Sequence, residues 1–156
     1  MTYFFFGTLM DRDILATVLD RPVADDEMTP AWLHDYRRVR AAAASYPLLV
    51  TSPGLVVGGI VFRPKHDRDD VRIRHFEEEE YAERWLIVHL ASGRRLPTRV
   101  FFALEPLQAT EEPWDLVAWR GAHKAAFLEQ CREWMSDCEA CESAPVALTR
   151  SMGGGR

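Results

Sequence analysis

With 156 residues, the chain has the length of one domain, large enough to bury roughly 70% of its unfolded surface without covalent staples. Lys and Arg total 19 against 24 Asp and Glu; the formal charge of −5 argues against a concentrated phosphate-binding face and against ionic attachment to anionic membranes. All three cysteines lie between Cys131 and Cys141, and no stretch approaches the ~20 apolar residues of a membrane span, so neither a secreted disulfide framework nor a membrane protein is expected.

Thr2–Phe6 is short and aromatic, as a buried first strand would be. Gly7-Thr8 breaks it, and the run has no basic flank of the kind a signal peptide carries, so a soluble, reduced, cytoplasmic protein is expected. Asp11 is a good N-cap for a helix over Arg12–Leu19, whose Ile14, Leu15, Val18 and Leu19 form one apolar face. Arg21-Pro22 ends it.

Met28–Val39 reads as a strand pair or one bent strand, and Ala41–Val50 finishes as a strand after Tyr46-Pro47. Pro53-Gly54 reads as a turn. Leu55–Phe62 is apolar on both alternating faces, which predicts a strand buried twice, inside a barrel and under helices. Gly58-Gly59 within it suggests a bulge or a chain segment passing close by.

A short helix is predicted over Asp67–His75, followed by the acidic run Glu77–Glu80. Trp85–Leu90 and Thr98–Leu104 read as strands joined through Ser92-Gly93, and Pro113 as a helix start. From Trp114 to Cys138 the apolar positions keep helical spacing, with Gly121 a point of division. The five tryptophans read as core. Together these elements predict an α+β fold, a small mixed β-barrel with flanking helices, as a single domain over 1–141 and a flexible tail over 142–156.

Three groups of residues could carry chemistry. A strand ending at Gly7 and running into a helix leaves backbone N–H groups that can hold a carboxylate or a developing oxyanion; a tight turn explains the same glycine without a ligand. In His75–Tyr81, crowded carboxylates at a helix C-terminus raise one another's pKa values, and Glu77 follows Phe76, a residue expected to be buried. A raised, partly buried carboxyl suits a general base, whereas the other glutamates read as a solvated face. The cysteines lack a fourth ligand for zinc, and Cys131 and Cys138 fall on the helix stripe, so they read as core and no metal is expected.

At four places in register the chain resembles the gamma-glutamylcyclotransferase-like (avirulence-induced-gene-like) family. Tyr3–Met10 is similar to its aromatic strand and Tyr-Gly-Ser/Thr-Leu, with Phe6 in place of the tyrosine. Leu33-His34-Asp35-Tyr36-Arg37 is similar to Leu-x-Gly-Tyr-Arg, with Asp35 at the glycine. Tyr46-Pro47 with Val57-Gly58-Gly59, and Phe76-Glu77 with Tyr81, match its later segments, Glu78 replacing a glycine. The resemblance covers about residues 2 to 104.

The resemblance implies a small β-barrel enzyme that cyclises a γ-glutamyl amine or peptide to 5-oxoproline and releases an amine or amino acid. It implies Glu77 as the general base. It also implies a substrate site over Phe6, Gly7, Thr8, Leu9 and Met10, joined by Tyr46 and Tyr81. The reaction is intramolecular and needs no metal or cofactor. The expected partner is a small γ-glutamyl or amino-acid-like ligand, with no nucleic acid and no membrane. The alternative is a non-catalytic barrel that binds such a ligand.

Overall fold

A computed structural model describes residues 2–42, 44–77, 81–103 and 109–142, without the side chains of Tyr81, Ala103 and residues 139–142. Its strands are β1 (Tyr3–Phe5), β2 (Met28–Ala41), β3 (Pro47–Phe62), β4 (Tyr81–Leu90), β5 (Arg95–Ala103) and β6 (Ala109–Pro113). Its α-helices are α1 (Arg12–Leu19), α2 (Asp67–Glu77), α3 (Leu116–Ala122) and α4 (Lys124–Glu142). The strands run in the order β3-β1-β5-β4-β2, and a β2–β3 ladder closes the ring. The result is a five-strand mixed barrel, with β1 and β5 parallel and β6 added outside β2. This is the α+β barrel that the sequence predicts.

Alternation along β1 divides its side chains between two cores. Phe4 points into the barrel with Ala31, Leu33, Val57, Val61, Val88 and Val100. Tyr3 and Phe5 point the other way, into the layer shared with the helices, where Tyr3 stacks on Phe5 and Phe101 and Phe5 on Phe62. α1 buries Ile14, Leu15, Val18 and Leu19 completely, each contributing about 1.5–3 kcal/mol of apolar burial. Asp11 caps α1 as expected, its carboxylate accepting from the Asp13 and Ile14 amides at 3.0 and 3.1 Å.

The structure corrects several expectations. Pro53-Gly54 does not end a strand: β3 runs through it and bulges there, with four residues, 52–55, opposite Asp35 of β2. Asp35 (φ 68°) and Gly54 (φ 83°) both have left-handed backbone, and the Asp35 carboxylate accepts from the Gly54 amide at 2.9 Å. Leu55–Phe62 is not buried on both faces throughout, since Leu55 and Val56 lie in solvent while Val61 and Phe62 are core. Pro113 ends β6 rather than opening a helix; Asp115 caps α3, accepting from the Ala118 amide at 2.8 Å. Of the tryptophans, Trp114 and Trp119 are core, but Trp32, Trp85 and Trp134 are substantially exposed. β6 itself, acidic and without an alternating pattern, was not foreseen. It docks through exposed ion pairs, Arg37–Glu111 and Arg40–Glu112.

Gly59 explains the glycine pair. A Cβ there would collide with the Phe5 carbonyl and the Phe4 ring, so β1 passes directly over it. Gly58 has no such neighbour; its Cβ would come within only 3.7 Å of Trp32.

Candidate functional site

α2 delivers Glu77. The start of the helix is fixed by Asp69, which accepts from the Lys65 and His66 amides at 3.0 and 3.3 Å and pairs with Arg21 at 2.7 Å. Arg21 also holds Glu27 at 2.6 Å, so the end of α1, the approach to β2 and the start of α2 share one buried ion cluster. Further along, Ile73 is fully buried and Arg72 donates to the Val18 carbonyl at 2.5 Å. So anchored, the last residue of α2 meets the end of β1.

A cavity of about 360 Å³ lies at that meeting point, within the range of small-ligand sites. Phe6, Gly7, Thr8, Leu9, Tyr46 and Glu77 line it, so six residues singled out in the sequence converge from three distant segments. Met10 is not among the lining residues: its amide closes the turn on the Gly7 carbonyl at 3.0 Å, and its side chain packs on the helix-side core. Tyr81 opens β4 opposite Ala103, and its side chain lies outside the described residues, as do Glu78–Glu80.

Glu77 is only partly exposed, and burial pushes its pKa up to about 8. The sequence argues for a raised value through like-charge crowding and the helix C-terminus; desolvation is the largest cause, and the crowding residues Glu78–Glu80 lie outside the described residues. A carboxyl of this kind takes up and gives back a proton near neutral pH.

The opposite wall is the turn after β1. Thr8–Met10 form a single 3-10 turn closed by Met10 N–H to Gly7 and Asp11 N–H to Thr8, each at 3.0 Å. The N–H groups that open such a turn have no acceptor within it. Pro47 packs on Gly7 so closely that a Cβ there would lie 3.0 Å from its Cγ, which leaves room only for glycine unless Pro47 gives way.

Sequence reasoning missed Arg38. Its guanidinium donates to the carbonyls of Phe6 at 3.0 Å, Gly58 at 2.9 Å and Trp114 at 3.2 Å, and lies over the Trp114 ring. It ties the end of β1 to β3 and to the approach to α3. A basic run Arg37-Arg38-Arg40 gives no sign of which member turns inward. Trp114 in turn donates to the Ser45 carbonyl at 2.7 Å, beside Tyr46.

Pro47 and aromatic side chains complete the lining; Phe4, Phe5 and Phe76 belong to the stretches singled out in sequence, whereas Phe127 and Trp134 do not. Phe4, Phe5 and Phe101 form the floor, while Phe76 of α2 and Phe127 and Trp134 of α4 form a side wall. Those last three meet edge to face, with centroids 5.9 to 6.5 Å apart. The i, i+7 spacing of Phe127 and Trp134 on α4 was legible, but read as core.

The family pattern described as "Gamma-glutamyl cyclotransferase, AIG2-like" matches residues 3–120, about three quarters of the chain. The chain belongs to this family. Two Arabidopsis thaliana proteins with solution structures share its fold at 21% identity. One has a TM-score of 0.61 over 92% of this chain and 93% of its own; the other has 0.60 over 94% and 88%. A structure titled gamma-glutamyl cyclotransferase is similar at 12% identity, with a TM-score of 0.53 over 85% of this chain and 86% of that one. No curated protein matches in sequence. Among the described residues no cluster of three metal-ligating side chains occurs, and no helix is long and apolar enough to cross a membrane.

Proposed function

We propose that the protein cyclises a γ-glutamyl amine or peptide to 5-oxoproline and releases the amine or amino acid. The observation that carries this is the placement of the Glu77 carboxyl, with its pKa near 8, in the same small cavity as the Gly7-Thr8-Leu9 turn. Family membership and the barrel shared with a gamma-glutamyl cyclotransferase support it.

In this reading the cavity holds the glutamyl chain folded back, so that its α-amine lies against its own γ-carbonyl. Holding that conformer supplies much of the rate, because the attack is intramolecular. Glu77 takes the proton that the nitrogen loses as the new C–N bond forms. Amides at the opening of the Gly7–Met10 turn stabilise the γ-oxygen as it becomes an oxyanion. Glu77 then returns the proton to the departing nitrogen, the old amide bond breaks, and the carboxyl is again an anion.

Incubation with a panel of γ-glutamyl amines and peptides, with 5-oxoproline quantified, tests the proposal. Release from at least one member, abolished by Glu77→Gln, is the expected result. Ligand-induced stabilisation without any turnover would overturn it in favour of a non-catalytic binding barrel.

A further inference from the structure

The cavity has two unlike parts, of which one lies in the stretch that the family pattern matches. Gly7–Leu9 and Glu77 lie inside residues 3–120, whereas Phe127 and Trp134 lie on α4, beyond that match. α4 supplies the wall that would face the remainder of the ligand.

That wall is apolar and carries no positive charge. Among the described lining residues there is no Lys or Arg. Arg38 comes close to the turn, but its Nε donates to the Trp114 carbonyl and its Nη1 to those of Phe6 and Gly58. A carboxylate placed against this wall would be desolvated and unpaired. An uncharged ring would instead be buried against Phe76, Phe127 and Trp134.

We propose that the Phe127–Trp134 face of α4 selects the leaving group, favouring γ-glutamyl amides of uncharged aromatic or apolar amines over γ-glutamyl amino acids. This rests on the cyclotransferase reading only in placing the glutamyl end at Gly7 and Glu77. The bond changes are those of the proposed reaction; α4 contacts only the departing amine.

The probes are γ-glutamylbenzylamide, γ-glutamylglycine and γ-glutamylmethylamide, whose leaving amines differ in apolar area and charge; benzylamine and glycine, the decisive pair, are close in basicity. kcat/KM for 5-oxoproline release should favour the benzylamide over the glycine compound by at least about tenfold, the effect of burying one ring. Trp134→Ala and Phe127→Leu should erase most of that preference, read as the benzylamide-to-glycine and benzylamide-to-methylamide ratios within each variant. Glutaric acid monobenzylamide and glutarylglycine lack the α-amine and cannot cyclise, so calorimetric titration of the wild type reads the same preference without turnover. Turnover with equal rates for benzylamide and glycine, or a preference that survives both substitutions, overturns the α4 proposal and leaves the cyclotransferase reading standing. Tighter binding of the benzylamide analogue with no 5-oxoproline from any probe supports the α4 proposal and overturns the cyclotransferase reading. Absence of both binding and turnover overturns both.

Discussion

A carboxyl group with a pKa near 8 leaves two signatures, one in rate and one in stability. As a base, Glu77 must be ionised to accept a proton. The acid limb of kcat/KM should therefore rise with pH and level off above about 8. Glu77→Gln keeps the shape and removes the base, and turnover should fall by about 10²–10⁴ while ligand binding persists. Glu79→Gln and Glu80→Gln should change the rate by less than about tenfold, through weakened repulsion alone. The stability signature has the opposite sign to that of most carboxylates. The folded pKa lies above the ordinary value of 4.5, so the fold favours the neutral acid. Between those two values the unfolded chain gives up its proton and the folded chain keeps it, and stability falls as pH rises. Urea denaturation at pH 8.5 should find Glu77→Gln more stable than wild type, by up to a few kcal/mol. At pH 4 the two should differ little. A wild-type advantage at pH 8.5 would mean that the carboxylate is stabilised by a partner rather than strained by burial.

Among the elements, α1 and the turn before it depend on Asp11. Its side chain is almost wholly buried, yet it caps α1 and also receives Arg120 at 2.8 Å and Lys124 at 3.0 Å, which joins the turn to α3 and α4. Burial pushes its pKa up, but the hydrogen bonds from Arg120, Lys124 and the Ile14 amide outweigh it, and the net position is below the ordinary value. This stability is present above the unfolded pKa and is lost as pH falls through the folded one. Asp11→Ala should cost about 1–3 kcal/mol at neutral pH, from the lost cap and the two unpaired cations. Asp11→Asn keeps the cap and should cost about half as much, and the gap between wild type and Asp11→Asn should close in acid. Guanidinium denaturation at pH 7 and pH 3 measures both. Asp11 was legible in sequence because an N-cap is decided by three or four neighbouring residues. The same local logic failed at Pro53-Gly54, where the residue opposite, Asp35, also takes left-handed backbone and the pair forms a bulge inside one long hairpin. It failed at β6, which exists through pairing with β2 and not through its own pattern. It also read Trp134 as core, because helical spacing marks a face without saying whether protein or a cavity lies against it.

For the whole molecule, closure of the barrel and formation of the site are one event. β1 has only three residues, pairs with β3 over its full length and touches β5 in register at Tyr3 and Arg99. It is the strand that completes the ring, and its next residues are the site turn. What lets it in is the missing side chain at Gly59. A methyl group there meets the Phe5 carbonyl and the Phe4 ring, and neither can move without breaking the β1–β3 ladder or the barrel core. Gly59→Ala should therefore destabilise by about 3 kcal/mol or more, the cost of forced overpacking in a rigid core. It should also abolish ligand binding, since Gly7 is displaced together with β1. Gly58→Ala is the control one residue away: it sits in the same strand, its Cβ would approach only the Trp32 ring, and that ring is exposed and free to adjust. It should cost less than about 1 kcal/mol and leave the site intact. Thermal unfolding of the two variants, with binding of a glutaryl amide as the second readout, separates a steric gate at Gly59 from a general need for glycine in this strand. If both variants unfold alike, the requirement is backbone flexibility along β3 and not passage of β1. If Gly59→Ala is as stable as wild type, β1 does not lie where closure of the barrel puts it.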